Sequence, residues 1–350
     1  MTLVTMFDYI KEEKEVLSKI LTNYDFSKIK LAKADSVLIL ATGSSNNACL
    51  AAKNALETFG GVTVEIQEPY HFNHYGHLPK AVDTVIAVSQ SGKSASTVDA
   101  LAGLKETNIQ TIALTSDLES PIVEAAEQVI DLGIGIEKVG FVTKGYSATV
   151  LQLILLGLAI GWQKQHLSDE ELASYKKQLE QLIQEIPAII KKTETFFEEN
   201  KALFKIAQRF VAIGYGPNWG TAKEFETKFT ETVRVPSQGF ELEAYMHGPY
   251  LEANPSHILF FTETASENLA RSRKLAAYME PHIGKALTIT TEKTNEEGQL
   301  SLNINCHEYF SVLALVIPYQ ILAYKIATAK GIDLNKKIFE DFDQVLKSKL

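Results

Sequence analysis

The chain has 350 residues, of which 45% are hydrophobic and 22% charged, with 20 Gly and 10 Pro. That composition is ordinary for a globular protein, the length suits two domains, and a disordered or collagen-like chain is excluded. With 34 Lys+Arg against 43 Asp+Glu, the formal charge is -9. This disfavours non-specific binding to nucleic acid or to an anionic membrane, so any anionic ligand has to be held by local groups.

Cys49 and Cys306 are the only cysteines. Two thiols support neither a disulfide framework nor a cysteine-based zinc site, and such sparing use suits a reducing compartment, so the expected location is cytoplasmic. The start, MTLVTMFDYIKEEKEVL, is acidic and amphipathic, without the basic start, apolar run and small-residue cleavage site that direct export. The most apolar stretch, 150–162, falls short of the ~20 residues that cross a bilayer and is expected to be a core helix.

After an N-terminal helical segment over 1–30, short β-branched runs alternate with longer helical patterns, which predicts a parallel sheet built from βα units. Five strands are expected in a first domain over 31–164: SVLIL (36–40), VTVEI (62–66), TVIAVS (84–89), TIALT (111–115) and QVIDL (128–132). Residues 165–204 turn strongly charged, with apolar residues at helical spacing and Ser168 placed to cap a helix start, and read as a helical connector. A second domain with a C-terminal tail, 205–350, restarts the pattern with FVAIG (210–214), HILFF (257–261) and ALTIT (286–290), then a long apolar helix over about 309–330. One constant offset carries Gly43 onto Gly216 and Ser89 onto Thr262, so the halves read as two copies of one α/β unit.

Ligands of open α/β sheets bind outside the carboxyl ends of the strands, so the loops there carry the chemistry. The first strand runs into ATGSSNNA (41–48), where Gly43 permits a tight turn and Ser44 and Ser45 open the next helix. The third runs into SQSGKSAST (89–97), where Ser89, Ser91, Ser94 and Ser96 surround Gly92. Hydroxyls and unpaired backbone N–H groups at a helix N-terminus favour a phosphate. Serines also cap helices everywhere, but two such loops after neighbouring strands point to phosphate binding. Neither loop is GxGxxG or GxxxxGK[ST], which argues against NAD and ATP. The matching loops of the second half, GYGPNWGTA and TETASENL, lack the serine cluster, so one phosphate site is expected per chain, in the first half.

The strings ATGSSNNA, SQSGKSAST, TSDLESPI, TKGYSAT and ETKFTETVRVPSQGFELEAYMHGP (226–249) resemble the sugar isomerase (SIS) family. More narrowly, they are similar to the isomerase half of glucosamine-6-phosphate synthase and to stand-alone ketosamine (fructosamine) 6-phosphate deglycases. The resemblance implies an α/β chain of two tandem flavodoxin-like SIS domains with parallel sheets and a helical connector, holding a hexose 6-phosphate. It implies that Ser44, Ser45, Ser89, Gln90, Ser91 and Ser94 contact the phosphate and sugar. The family's KxxE string matches Lys228, a substrate-binding candidate, and Glu231, the catalytic base; its HGP string matches His247. A carboxylate and a histidine suit proton transfer between C1 and C2 near neutral pH. On pattern alone, Glu224, Glu226, Lys228 and Glu231 equally suit a solvated charged helix face, and His247 a loop. The resemblance further implies a homodimer whose HGP histidine reaches the neighbouring subunit's site.

His71, His74 and His77 have a spacing that needs a helical turn, which Gly76 and Pro79 discourage, and no acidic or cysteine ligand follows, so no metal and no cofactor are expected. Lys144 is a candidate substrate contact, and Tyr215 and Trp219 are candidates to line the pocket beside the sugar, each equally suited to packing. The sequence opens on the amphipathic helix rather than on an amidotransferase segment, so glutamine is not expected to be the nitrogen donor; the end KGIDLNKKIFEDFDQVLKSKL lacks the synthase branch's PRNLxKS string, and Lys336 and Lys337 do not align on it. Three readings stay open. The leading one is deglycation of a fructosamine 6-phosphate. The others are isomerisation with deamination of a hexosamine 6-phosphate, and a regulator that binds a sugar phosphate without chemistry.

Overall fold

The computed structural model describes residues 4–31 and 33–350. The chain divides into two compact units, one of residues 15–176 with 336–350, the other of 1–14 with 177–335.

In chain order the elements that build the first unit are α1 (Met6–Asn23), which it shares with the second, β1 (Ser36–Ala41), α2 (Gly43–Gly60), β2 (Thr63–Gln67), α3 (Pro69–Tyr75), β3 (Thr84–Val88), α4 (Ala95–Ala102), β4 (Gln110–Thr115), α5 (Pro121–Ala125), β5 (Gln128–Asp131) and α6 (Lys144–Gln163). The strands form one parallel sheet in the order β2-β1-β3-β4-β5. The five strand runs of the first half are therefore found within a residue or two of their expected ends. β1 and β3 are buried along almost their whole length, as strands covered on both faces require. Because the chain goes from β1 to β2 on one side and then to β3 on the other, the order reverses between β1 and β3. There Ala41 pairs with Val88, so the two strands end level and release the loops over 42–45 and 89–94 side by side.

The buried helix of this unit is longer than its most apolar stretch suggested. α6 has 20 residues and is as long and apolar as a membrane span, but 94% of its apolar window is buried inside the protein. The correction comes from the first turns, where Gly145, Ser147 and Thr149 are buried too.

Two helices follow, α7 (Asp169–Gln184) and α8 (Ile186–Ile206). Ser168 caps α7 as expected: its hydroxyl accepts from Glu171 N at 3.2 Å while Glu171 accepts from Ser168 N at 2.9 Å, a reciprocal capping box. α8, in contrast, is no free connector. It buries Ile186, Ile189, Phe196, Phe197 and Phe204 in the second unit.

That unit continues with β6 (Arg209–Gly214), α9 (Asn218–Thr232), β7 (Ser237–Glu241), α10 (Leu242–Met246), β8 (His257–Glu263), α11 (Leu269–Met279), β9 (Lys285–Thr290), β10 (Gln299–Ser301) and α12 (Ser311–Ala329). Its sheet is parallel in the order β10-β9-β8-β6-β7, the same topology as the first. The duplication inferred from the offset is therefore structural, and Gly43 and Gly216 open their turns with φ of 57° and 54°, a left-handed conformation that only glycine adopts freely. Its core is aromatic: Phe204, Phe210, Phe225, Phe229, Phe260 and Tyr319 are all under 2% exposed and meet ring to ring. Each such ring contributes about 1.5–3 kcal/mol on burial. Residues 336–350, with α13 (Phe342–Leu346), belong to the first unit rather than the second, and the last of them pair with the loop before α4: Leu350 N donates to Lys93 O at 2.9 Å and Ala95 N to Ser348 O at 3.2 Å.

Candidate functional site

At the carboxyl ends of β1 and β3 lies a cavity of about 350 Å³. Ser44, Ser45, Ser89, Gln90, Ser91 and Ser94 all line it, so the structure brings these six together, while Ser96 and Lys144 are not among its lining residues. Neither of the two helix starts uses its N-cap hydroxyl as a cap. Thr42 and Ser94 stand at the N-cap positions of α2 and α4 in extended conformation, yet neither makes a side-chain cap hydrogen bond. Gly92 turns the second loop with φ of 65°, and a Cβ there would meet Ser120 Oγ at 1.8 Å. Two helix N-termini thus point their partial positive charge at one serine-lined space, a setting that suits a dianion.

Two cations lie at the rim. Lys93 pairs with Asp117 at 3.1 Å and, as donor to it, holds the Asp117 carboxyl below its usual range. Lys349, the penultimate residue, also lines the cavity and pairs with Asp343 at 2.7 Å. No sequence signal marks it: it lies beyond Lys336 and Lys337, and the tail's pairing on Ser94 carries it to the cavity. Glu137 is unmarked in the same way. Its carboxylate lines the cavity and accepts from Gln90 Nε2 at 2.7 Å. Lys144, at the start of α6, is buried.

The matching position in the second unit carries the opposite electrostatics. The offset that relates the repeats places Glu263, at the end of β8, where the first unit has Gln90. Glu263 is 1% exposed, and burial raises its carboxyl above the usual range despite a 2.7 Å hydrogen bond from Ser272 Oγ. A buried carboxylate at the strand end opposes anion capture. Tyr215, from the loop after β6, fills that end as a structural pin. It is buried, donates to Thr264 O at 2.6 Å and accepts from Thr264 N at 3.0 Å, and burial pushes its phenol up to about 12. Trp219 is 40% exposed.

Lys228, Glu231 and His247 belong to the second unit. On α9, Glu224, Lys228 and Glu231 follow one another at one-turn spacing, but they do not form a solvated face. Glu224 and Lys228 are completely buried. The Lys228 ammonium lies 3.4 Å from Glu224 Oε1 and donates to Glu231 Oε1. Burial alone would push that ammonium down, but the two carboxylates outweigh it and hold it above the usual lysine range. Lys228 is therefore placed to hold Glu231, whose side chain is 31% exposed. Glu224 was seen in the sequence only as part of a charged face; its burial is a tertiary fact. His247, ending α10, has a side chain 78% exposed, 4.0 Å from Glu243. Among the described residues, Glu231 and His247 share no hydrogen bond or ion pair.

His71 and His74 do lie on a helical turn, α3, which Gly76 closes by donating to His71 O at 2.9 Å, so Gly76 and Pro79 end the turn without preventing it. His74 packs on the Tyr70 ring, with centroids 4.3 Å apart. Among the described residues no three His, Cys, Asp or Glu side chains are grouped to hold a metal.

Comparison with known proteins agrees with this architecture. Glutamine--fructose-6-phosphate aminotransferase [isomerizing] of Clostridium tetani is 25% identical over 331 residues, covering 90% of this chain and 52% of that protein. The same enzyme of Bacteroides thetaiotaomicron is 25% identical over 320 residues, covering 88% of this chain and 51% of that protein. The chain thus spans about half the length of the curated relatives it matches. Among solved structures, the C-terminal domain of glucosamine-fructose-6-phosphate aminotransferase from Francisella tularensis superposes with a TM-score of 0.83 at 21% identity, covering 94% of this chain and 96% of that one. Glucosamine-6-phosphate deaminase from Thermotoga maritima superposes with a TM-score of 0.75 at 22% identity, covering 95% and 96%. Residues 30–160 match the SIS domain family, and the serine-lined strand ends described above lie within that matched stretch.

Proposed function

We propose that this chain is an enzyme acting on an amino-substituted hexose 6-phosphate, and that its reaction is deglycation of a fructosamine 6-phosphate. The observation that carries the reading is the cavity in which six serine and glutamine side chains from two adjacent loops meet two helix N-termini, a phosphate seat in an acidic protein. The similarity to sugar-phosphate aminotransferases supports the choice of a hexose 6-phosphate as ligand. Glu231 has the setting of a base: a partly exposed carboxylate with one oxygen held by a buried ammonium.

In this reading Glu231 takes a proton from C1 of the open-chain ketosamine, giving an enolamine. Reprotonation at C2, with His247 as the acid, yields an imine at C1. Water adds to the imine and expels the amine, leaving glucose 6-phosphate. The exposure of His247 leaves it open to a second copy of the chain, so the proposal includes a homodimer with shared sites.

The test is incubation with ketosamine 6-phosphates and hexosamine 6-phosphates, measuring glucose 6-phosphate, fructose 6-phosphate and ammonia. Release of hexose phosphate from the substituted compounds alone supports deglycation. Ammonia from a hexosamine 6-phosphate establishes the deaminase reading, and saturable binding with no product establishes a regulator. In Glu231→Gln turnover should drop by ~10²–10⁴, the usual contribution of a general base, and unchanged turnover removes Glu231 from that role.

A further inference from the structure

Gln90 was named as a ligand contact, but nothing so far explains why its long, flexible side chain should hold one position. The structure supplies two constraints. Glu137, in the irregular segment between β5 and α6, accepts from Gln90 Nε2 at 2.7 Å and from Gly145 N at 3.1 Å through one oxygen. Its other oxygen accepts from Thr143 N at 3.2 Å and Thr143 Oγ1 at 2.9 Å. Because α6 begins at Lys144 and its N-cap, Thr143, makes no side-chain cap bond, the Glu137 carboxylate serves as the cap, with the helix dipole in its favour. The second constraint is steric: a Cβ on Gly145 would lie 1.5 Å from Gln90 Nε2 and 2.2 Å from Gln90 Cδ. The amide therefore rests on bare backbone, in space that any other residue would fill.

A carboxylate only accepts, so the amide atom facing it is the NH₂ and the orientation of Gln90 is set by chemistry. The backbone at Gln90 is held too, its main-chain carbonyl accepting from Ser116 N at 2.9 Å and Ser116 Oγ at 2.7 Å. We propose that Glu137 and Gly145 form a seat that fixes the Gln90 amide in the cavity, Glu137 acting as a positioning residue and Gln90 as the group that reads the uncharged part of the ligand. A phosphate meeting that amide would lie beside the Glu137 carboxylate and be repelled, whereas a sugar hydroxyl would not. The seat therefore also orients the ligand, phosphate towards the serine loops and hydroxyls towards Gln90. This inference rests on the sugar-phosphate reading above.

The experiment is calorimetric titration of the full chain with fructose 6-phosphate and with inorganic phosphate, for wild type, Gln90→Ala, Glu137→Ala, Gly145→Ala and the Gln90→Ala/Glu137→Ala pair. Alanine is a better helix former than glycine, so Gly145→Ala displaces the amide without weakening α6, and melting temperatures report folding in every variant. The expected result is a fall in fructose 6-phosphate affinity of about tenfold in each single variant, one hydrogen bond's worth. The fall should be larger than that for inorganic phosphate, and the pair should be no weaker than Gln90→Ala alone. Additive losses in the pair, or unchanged affinity in both Glu137→Ala and Gly145→Ala, overturn the seat while leaving the sugar-phosphate reading intact. Failure of the wild type to bind either compound overturns that reading, and the inference with it.

Discussion

The Lys228 ammonium lies between Glu224, completely buried, and Glu231, so Lys228→Met leaves a carboxylate in the core of the second unit without its cation. At 3.4 Å and an effective dielectric of about 20, the Lys228–Glu224 attraction is about 5 kcal/mol before desolvation is subtracted. Removing one partner of a buried pair typically costs about 3–5 kcal/mol, because the orphaned charge stays buried. At about 2–4 °C per kcal/mol for a unit of this size, melting should fall by about 6–20 °C at pH 7.5. Met nearly matches the lysine stem in volume, so little of that loss is packing. The loss should also depend on pH. In the variant Glu224 has lost its cation, so its folded-state pKa rises above the unfolded value. Such a group is fully compatible with folding below the unfolded pKa, and stability is lost as pH rises through the folded one. The deficit should therefore shrink between pH 7.5 and 5. Lys228→Met/Glu224→Gln removes the charge and should recover more than half of the melting temperature. Calorimetric scans of the three proteins decide it: a deficit under about 1 kcal/mol in Lys228→Met, or no recovery in the double variant, refutes the buried-triad argument.

Ser91→Ala should weaken hexose 6-phosphate binding by about 10- to 150-fold, the value of one hydrogen bond to a charged oxygen, with no change in melting; equal affinity by titration would remove Ser91 from the phosphate seat. Gly92→Ala combines a φ of 65° with a Cβ 1.8 Å from Ser120 Oγ, and should lower stability by about 1–3 kcal/mol and binding with it. Urea denaturation and titration test this, and a neutral outcome would mean the loop before α4 can be rebuilt. Glu263→Gln removes a carboxyl whose folded-state pKa is raised by burial. Such a group's contribution is intact below its unfolded pKa and lost as pH rises through the folded one, so the variant's melting temperature should fall less than wild type's between pH 4.5 and 7, and parallel curves would contradict it.

What could be read from the sequence divides along a physical line. β1, β3 and β8 are buried on both faces, so their chemistry is written as unbroken apolar runs, and those strands were found within a residue or two. β7 and β10 escaped because neither carries the β-branched run that announced β2 and β5, which are edge strands too. Ser-Gln-Gly-Phe-Glu shows no strand pattern, and its Gly239 is required by neighbours, since a Cβ there would meet Ala222 O at 2.0 Å. The same division runs through the cavity. Ser44, Ser45, Ser89, Ser91 and Ser94 line it from the two short stretches that follow β1 and β3, so a local string announces them. Glu137 and Lys349 reach the same space from an irregular segment and from the end of the tail, and nothing local marks either. The charged face of α9 misled for a third reason: Glu224 and Lys228 carry full charges, and pattern alone assigns full charges to solvent. Their mutual pairing helps α9 to bury both. A carboxylate one turn from a lysine one turn from another carboxylate is therefore ambiguous in sequence between a wet face and a buried relay. Here the neighbours decide it, because Phe225 and Phe229 on the same helix lie in the aromatic core and draw Glu224 and Lys228 inward with them.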